Sequence, residues 1–190
     1  MRRPLFLTGM MGCGKTTVGR VLSQARGWVL VDLDERIERL FGVAIAELFE
    51  RGEECFRARE RRALESLLAE PGFAARAVVV ATGGGAVLDP ASREAMDRVG
   101  TRVYLEVGVD ELVRRLRPTV DADEAARPLL QGEAASLRGR VAELLASRRS
   151  AYRGGALCID ANDDPAVVAE RIVVALGEGG GAVVQDSEAV

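Results

Sequence analysis

The residues Gly9-Met10-Met11-Gly12-Cys13-Gly14-Lys15-Thr16 fit the phosphate-loop pattern G-x-x-x-x-G-K-[ST] at every position, directly after the apolar run Leu5, Phe6, Leu7. Such a loop aims successive backbone N–H groups at the β- and γ-phosphates of a nucleotide and adds the positive end of the helix that follows. Nucleotide contacts are expected from Gly12, Cys13, Gly14, Lys15, Thr16 and Thr17. Lys15 should reach the β/γ oxygens, and the Thr16 hydroxyl should ligate Mg²⁺. A glycine-rich turn would match part of the pattern by chance. Here Thr17, Val18, Val21 and Leu22 continue as an apolar helical face behind the loop, which favours the phosphate site.

Asp32 and Asp34 lie two apart after the apolar run Val29, Leu30, Val31. At the end of an extended strand both carboxylates would point from one face. This reading gives Asp32 to the hydration shell of the metal and Asp34 to an acceptor hydroxyl, whose proton Asp34 could take late in phosphoryl transfer. An acidic strand end and helix cap is the plainer alternative. The strand at Val78–Val80 ends in Thr82-Gly83, without the acidic residue common in ATPases and GTPases, so Asp32 is the available metal carboxylate. Arg57 and Glu60 share a helical face at i, i+3, so Glu60 can brace the guanidinium while it grips a substrate carboxylate. Gly83, Gly84 and Gly85 cost chain entropy after a buried strand, and close approach of a small ring would justify them. Arg117, Arg127 and Arg148 complete the candidates. Arg127, ahead of Pro128-Leu129-Leu130, suits a closing segment that neutralises a moving phosphoryl group. Arg148 competes with a surface-charge reading.

The elements that must carry these residues alternate strand and helix. Strands are expected at Leu5–Leu7, Val29–Val31, Val78–Val80, Arg102–Val107 and Ala156–Ile159. Helices fall between them, over Lys15–Gln24, Glu35–Phe41, Ile45–Phe49, Glu53–Leu68, Pro90–Arg98, a segment capped by Asp110, another through Val141 and Leu145, and Pro165–Leu176. This order implies an α/β fold with a mostly parallel five-stranded sheet and ligands across the strand C-termini. One domain is expected over residues 1–177, with a mobile lid insert at about 118–137 and a flexible tail at 178–190. A chain of 190 residues that is 48% hydrophobic supports one packed core. Cys13, Cys55 and Cys158 are widely spaced with no histidine in the chain, which argues against a disulfide framework or a zinc site. A net charge of −3 gives no support to nucleic-acid binding, and no apolar run is long enough to span a bilayer. The N-terminus begins almost directly with the first strand, so a cleaved secretion signal is not expected, and the cysteine pattern makes a cytoplasmic, Mg²⁺-using protein the simpler account.

Taken together these motifs resemble the shikimate kinase family over Leu5 to Leu176. The specific set is the phosphate loop, Asp32-Leu33-Asp34, Gly52-Glu53-Glu54-Cys55-Phe56-Arg57-Ala58-Arg59-Glu60, Gly83-Gly84-Gly85 and Arg127-Pro128-Leu129-Leu130. The resemblance implies a three-layer α/β/α P-loop fold like that of nucleoside-monophosphate kinases. It also implies Mg²⁺ as cofactor, ATP as co-substrate, and phosphorylation of shikimate to shikimate 3-phosphate in aromatic amino-acid synthesis. Asp34, Arg57, Gly84 and Arg148 would hold shikimate, with Gly83 and Gly85 beside them and Phe49 and Phe56 walling the pocket. Arg127 would belong to the lid, Arg117 and Pro165 would flank adenine, and the enzyme would be a monomer. The segment from Pro118 to Arg127 is longer and more acidic than the family pattern, and Ser150-Ala151 stands before Tyr152 in place of Pro-Leu. Two other readings remain: a kinase of another hydroxy acid such as gluconate, and a nucleotide-binding regulatory module without turnover.

Overall fold

Short runs of buried apolar residues make the central strands. β1 (Leu5–Thr8), β2 (Val29–Asp32), β3 (Val78–Ala81), β4 (Thr101–Glu106) and β5 (Leu157–Asp160) form one sheet in the order β2-β3-β1-β4-β5. Every pairing is parallel. β1 and β3 are buried at each position, the pattern of strands covered on both faces. Phe6, Leu7, Val79 and Val80 are fully buried at the centre, where each side chain of this size contributes roughly 1.5–3 kcal/mol. Leu7 pairs with both Ala81 and Val103, so β1 and β3 end within one residue of each other while β4 runs on past them to Glu106. The polar residues at these ends are satisfied internally: Thr8 donates to Val103 O at 3.2 Å and Thr82 to Leu7 O at 2.9 Å.

The computed structural model describes residues 3–122 and 137–177. Its helices are α1 (Lys15–Arg26), α2 (Leu33–Phe41), α3 (Ile45–Glu50), α4 (Glu53–Leu68), α5 (Pro90–Val99), α6 (Val109–Ala122), α7 (Leu137–Arg153) and α8 (Pro165–Ala175). α1 packs against α8 and across β2 and β3, while α4 packs against α2, α3 and α5, and α5 lies against β4. The expected five strands and eight helices are all present, with bounds shifted by a few residues.

Three shifts have physical causes. Asp34 lies inside α2, because Asp32 ends β2 and caps the helix: its Oδ1 accepts from the N–H groups of Asp34 at 3.0 Å and Glu35 at 3.4 Å. Asp110 sits in the first turn of α6 rather than capping it; the first helical bond runs from Leu112 N to Gly108 O. Pro118, where the insert is expected to begin, lies inside α6. It removes one N–H from the ladder of α6, yet the helix continues to Ala122, and α7 already begins at Leu137. The remainder of the expected lid, with Arg127, lies outside the described residues, as does the tail at 178–190.

Arg102 locks the lower end of β4 to α5 and to the end of α7. Its buried guanidinium donates to Asp97 through Nε at 2.6 Å and NH2 at 2.8 Å, and to Gly154 O at 2.6 Å. Replacing Asp97 by Ala leaves this buried charge with a single carbonyl and is expected to cost about 3 kcal/mol in urea unfolding. Joining it with Arg102→Met should recover most of the loss.

Candidate active site

The loop from β1 to α1 sets one end of the site. Gly14 caps α1 with φ 96°, a left-handed conformation that a side chain would strain. Lys15 Nζ lies over the loop, donating to Gly9 O at 2.9 Å and Met10 O at 3.2 Å. The Thr16 hydroxyl donates to Asp32 Oδ2 at 2.7 Å. Asp32 therefore does two jobs, one oxygen on the α2 N-terminus and the other on Thr16. These residues line an open cleft of about 820 Å³ with Met11, Gly12, Gly14, Thr17, Asp34, Thr82 and Gly84. Cys13 departs from expectation. Its thiol is buried, its N–H turns inward to Met10 O at 3.1 Å, and it is not part of the cleft wall.

Asn162, Asp163, Asp164 and Pro165 wall the far end of the cleft, facing Glu111, Arg114 and Arg115 of α6. Pro165 lies on the cleft wall, whereas Arg117 is exposed and lies outside it. Arg115 is the α6 arginine that reaches across this end of the cleft. It donates to Cys13 O at 3.3 Å, Ala161 O at 2.9 Å and Glu111 Oε1 at 2.6 Å, joining the phosphate loop, α6 and the β5–α8 connection. Hydrogen bonds from Arg114 and then Arg115 outweigh desolvation and hold the Glu111 carboxyl down at about 2.

The other end is built around a buried carboxylate. Along α4 the buried positions are Phe56, Glu60, Ala63, Leu64 and Leu67, so Glu60 stands in an otherwise apolar stripe with 4% exposure. Its Oε2 accepts from Arg57 NH1 at 2.7 Å, and Oε1 is buried with no hydrogen-bond partner among the described residues. Arg57 is further held by Glu53, through Nε at 3.2 Å and NH2 at 2.8 Å, and lies 5.0 Å from the centre of the Phe56 ring. Phe56 stacks on Phe49 at 4.5 Å. Burial pushes the Glu60 carboxyl upward and Asp34 adds to the push, while Arg57 and Arg148 pull against it. Burial works against the Arg57 charge too, but Glu60 and Glu53 outweigh it and raise the guanidinium. The pair moves in one direction because Glu60 loses more hydration than Arg57 and also faces a second acid.

The glycine triplet makes room for these side chains. A Cβ on Gly83 would lie 2.2 Å from Glu60 Oε1 and 3.2 Å from Asp34 Oδ1, and one on Gly85 would strike the Arg57 guanidinium at 2.2 Å. Of the three, Gly84 borders the large cleft, while Gly85 and Arg57 border a second cavity of about 250 Å³ with Glu60, Leu64 and Asp89. Arg148 is buried, not a surface charge, and its NH1 has no hydrogen-bond partner among the described residues. It shares the inward stripe of α7 with Val141 and Tyr152. Glu60 Oε1 and Arg148 NH1 are thus two buried polar atoms of opposite sign without hydrogen-bond partners among the described residues.

A family model described as shikimate kinase matches residues 11–177. The chain belongs to the shikimate kinase family. It is 41% identical over 178 residues to shikimate kinase 2 of Salmonella heidelberg (strain SL476), covering 93% of each protein. Among solved structures it is similar to shikimate kinase from Acinetobacter baumannii in complex with shikimate, at 34% identity and a TM-score of 0.82, over 95% of this chain and 97% of that one. A gluconokinase from Sinorhizobium meliloti shares the fold, at 16% identity and a TM-score of 0.60, over 93% of this chain and 94% of that one. Within this shikimate kinase fold, Arg115 and the room left by Gly83 and Gly85 were not legible before the structure. The Glu111–Arg115 pair at i, i+4 was the available signal for the first.

Two measurements test this geometry. Lys15 is the only lysine of the chain, so an amine-directed acylating reagent should modify it alone apart from the N-terminus, and saturating ADP should slow that modification severalfold. The Glu111 carboxyl should titrate by ¹³C NMR near 2, and Arg115→Ala should move it back toward the usual carboxylate value of 4.5. The sign follows from the depressed folded value: the pair's contribution to stability is full above pH 4.5 and is lost as the pH falls toward 2.

Proposed function

We propose that this shikimate kinase transfers the γ-phosphoryl group of ATP to the 3-hydroxyl of shikimate, giving shikimate 3-phosphate and ADP. The observation that supports the reading is the cluster of half-buried Arg57 with buried Glu60 and Arg148, two guanidinium groups that both act on one carboxylate beside the glycine strip. That end suits a carboxylate, and Asp34 beside it suits ring hydroxyls.

The division of labour follows the site. The loop N–H groups, Lys15 and the α1 N-terminus hold the phosphates, and Arg115 with Pro165 flanks the base. Arg57 and Arg148 fix the acid, so the acceptor hydroxyl meets Asp34 rather than sampling the cleft. The acceptor oxygen forms the new P–O bond as the β–γ bridge breaks, ADP carries away the bridging oxygen, and Asp34 receives the hydroxyl proton. Arg127 would neutralise the moving phosphoryl group from the lid.

The donor set fits a hard cation bound mainly through the nucleotide. Among the described residues no group of three or more His, Cys, Asp or Glu is placed to hold a metal. Thr16 and Asp32 offer two oxygens at the phosphate loop, which suits Mg²⁺ completed by phosphate oxygens and water. When bound, Mg²⁺ supplies charge neutralisation on the phosphates. We further assign the enzyme to the cytoplasm as a monomer: its three cysteines are unpaired, as a reducing compartment favours, and no described helix is long and apolar enough to cross a membrane.

Side-by-side turnover with MgATP should favour shikimate over gluconate, and preference for gluconate would overturn the assignment. Asp34→Asn should keep ATP affinity while lowering phosphorylation at least about 100-fold, whereas unchanged turnover removes Asp34 from the chemistry. Arg57→Ala should raise the shikimate KM by on the order of 10- to 100-fold, as loss of a charged hydrogen bond requires.

A further inference from the structure

An arginine carries its N–H donors in a rigid planar fork, so the way Arg57 can meet a carboxylate depends on which edge of that fork is already taken. Nε and NH2 both donate to Glu53 Oε1, at 3.2 and 2.8 Å, and NH1 donates to Glu60 Oε2 at 2.7 Å. Among the described residues this leaves one N–H on each of NH1 and NH2. A Cβ on Gly85 would fall 2.2 Å from NH1, 2.3 Å from Cζ and 2.4 Å from NH2, so these tips lie against the glycine strip. Glu53 itself stands in the first turn of α4, 48% exposed, and lines neither the large cleft nor the second cavity. An exposed i, i+4 pair of this kind adds little to stability, so its effect on the site can be separated from folding.

We infer that Glu53 is a positioning residue for the substrate carboxylate: by occupying the Nε/NH2 edge of Arg57 it leaves the acid only the NH1 and NH2 tips beside the glycine strip. Glu60 cannot make this choice alone. Its single bond to NH1 leaves the Nε/NH2 edge open to a side-on grip on an anion and lets the fork pivot about that bond. Two bonds from adjacent nitrogens to one Glu53 oxygen remove both freedoms. The charge of Glu53 acts in the opposite sense, because a carboxylate beside Arg57 repels an incoming acid. Loss of that charge alone strengthens acid binding, whereas loss of the acceptor frees the fork and weakens it. At a half-exposed position the repulsion is screened, so the freed fork decides the sign. Glu53 touches no ligand; it acts through Arg57.

The inference rests on the proposed hold of Arg57 on the shikimate carboxylate, so Arg57→Ala is carried through the same measurements. Glu53→Ala should weaken calorimetric binding of shikimate and raise its KM on the order of fivefold, with kcat and the ATP KM within about twofold. Glu53→Gln keeps an oxygen for Nε and NH2 and should hold shikimate affinity within about twofold of wild type. Adding Glu53→Ala to Arg57→Ala should change nothing further, because the effect passes through that guanidinium. A readout without substrate completes the test: the Arg57 Nε–H resonance in ¹⁵N spectra, assigned by its loss in Arg57→Lys, should exchange with water severalfold faster in Glu53→Ala than in wild type or Glu53→Gln. Unchanged or tighter shikimate binding by Glu53→Ala, an equal loss in Glu53→Gln, an undiminished loss in the Arg57→Ala background, or unchanged Nε–H exchange would overturn the role. If Arg57→Ala weakens shikimate binding and Glu53→Ala does not, this inference alone fails. If Arg57→Ala itself leaves the affinity unchanged, the carboxylate reading of Arg57 falls and the role of Glu53 falls with it.

Discussion

A carboxylate buried in an apolar helical stripe is the constraint around which the acid end of this protein is arranged. Glu60 cannot stay ionised there unaided, because desolvation opposes its charge. It requires Arg57 on its own helix and Arg148 from α7, and it requires a strip of backbone with no side chains at Gly83 and Gly85. Each demand fixes another element: α4 against the β3 exit, α7 across it, and the glycine strip between them. Burying such a pair is weak evidence for stability. In the role proposed for Arg57 its value lies in orientation, since a guanidinium already held by two glutamates spends little further entropy on meeting a planar anion.

The phosphate end obeys a different logic. There the backbone supplies most donors, and side chains serve mainly to join elements. Arg115 makes this plain, bonded at once to the loop, its own helix and the β5–α8 connection. Backbone recognition depends on loop shape more than on neighbours, which is why the pattern of Gly9–Thr16 is legible from residue types and spacing alone.

What was legible in the chain followed from local rules. Apolar runs placed all five strands, and the helices between them followed from period and from residues such as Pro90 and Pro165 at helix starts. Where local rules compete, the sequence leaves two outcomes open. Asp34 could extend a strand or begin a helix, and the Asp32 cap decides for the helix. Arg117 and Arg115 both belong to α6, but the buried Leu112 and Leu116 set its phase, leaving Arg115 at the cleft rim and Arg117 outward. The triplet at Gly83 was recognisable as unusual, yet its reason lies in side chains more than twenty residues earlier, a distance that no window on the sequence spans.

The turn from β2 into α2 carries a last implication. Asp32 touches Thr16 of the phosphate loop, Asp34 lies against Gly83, and both carboxylates are set by a single helix cap. The phosphate loop and the glycine strip are thereby measured from the same rigid corner, like two marks on one ruler. A substitution that loosens the cap therefore displaces both marks together.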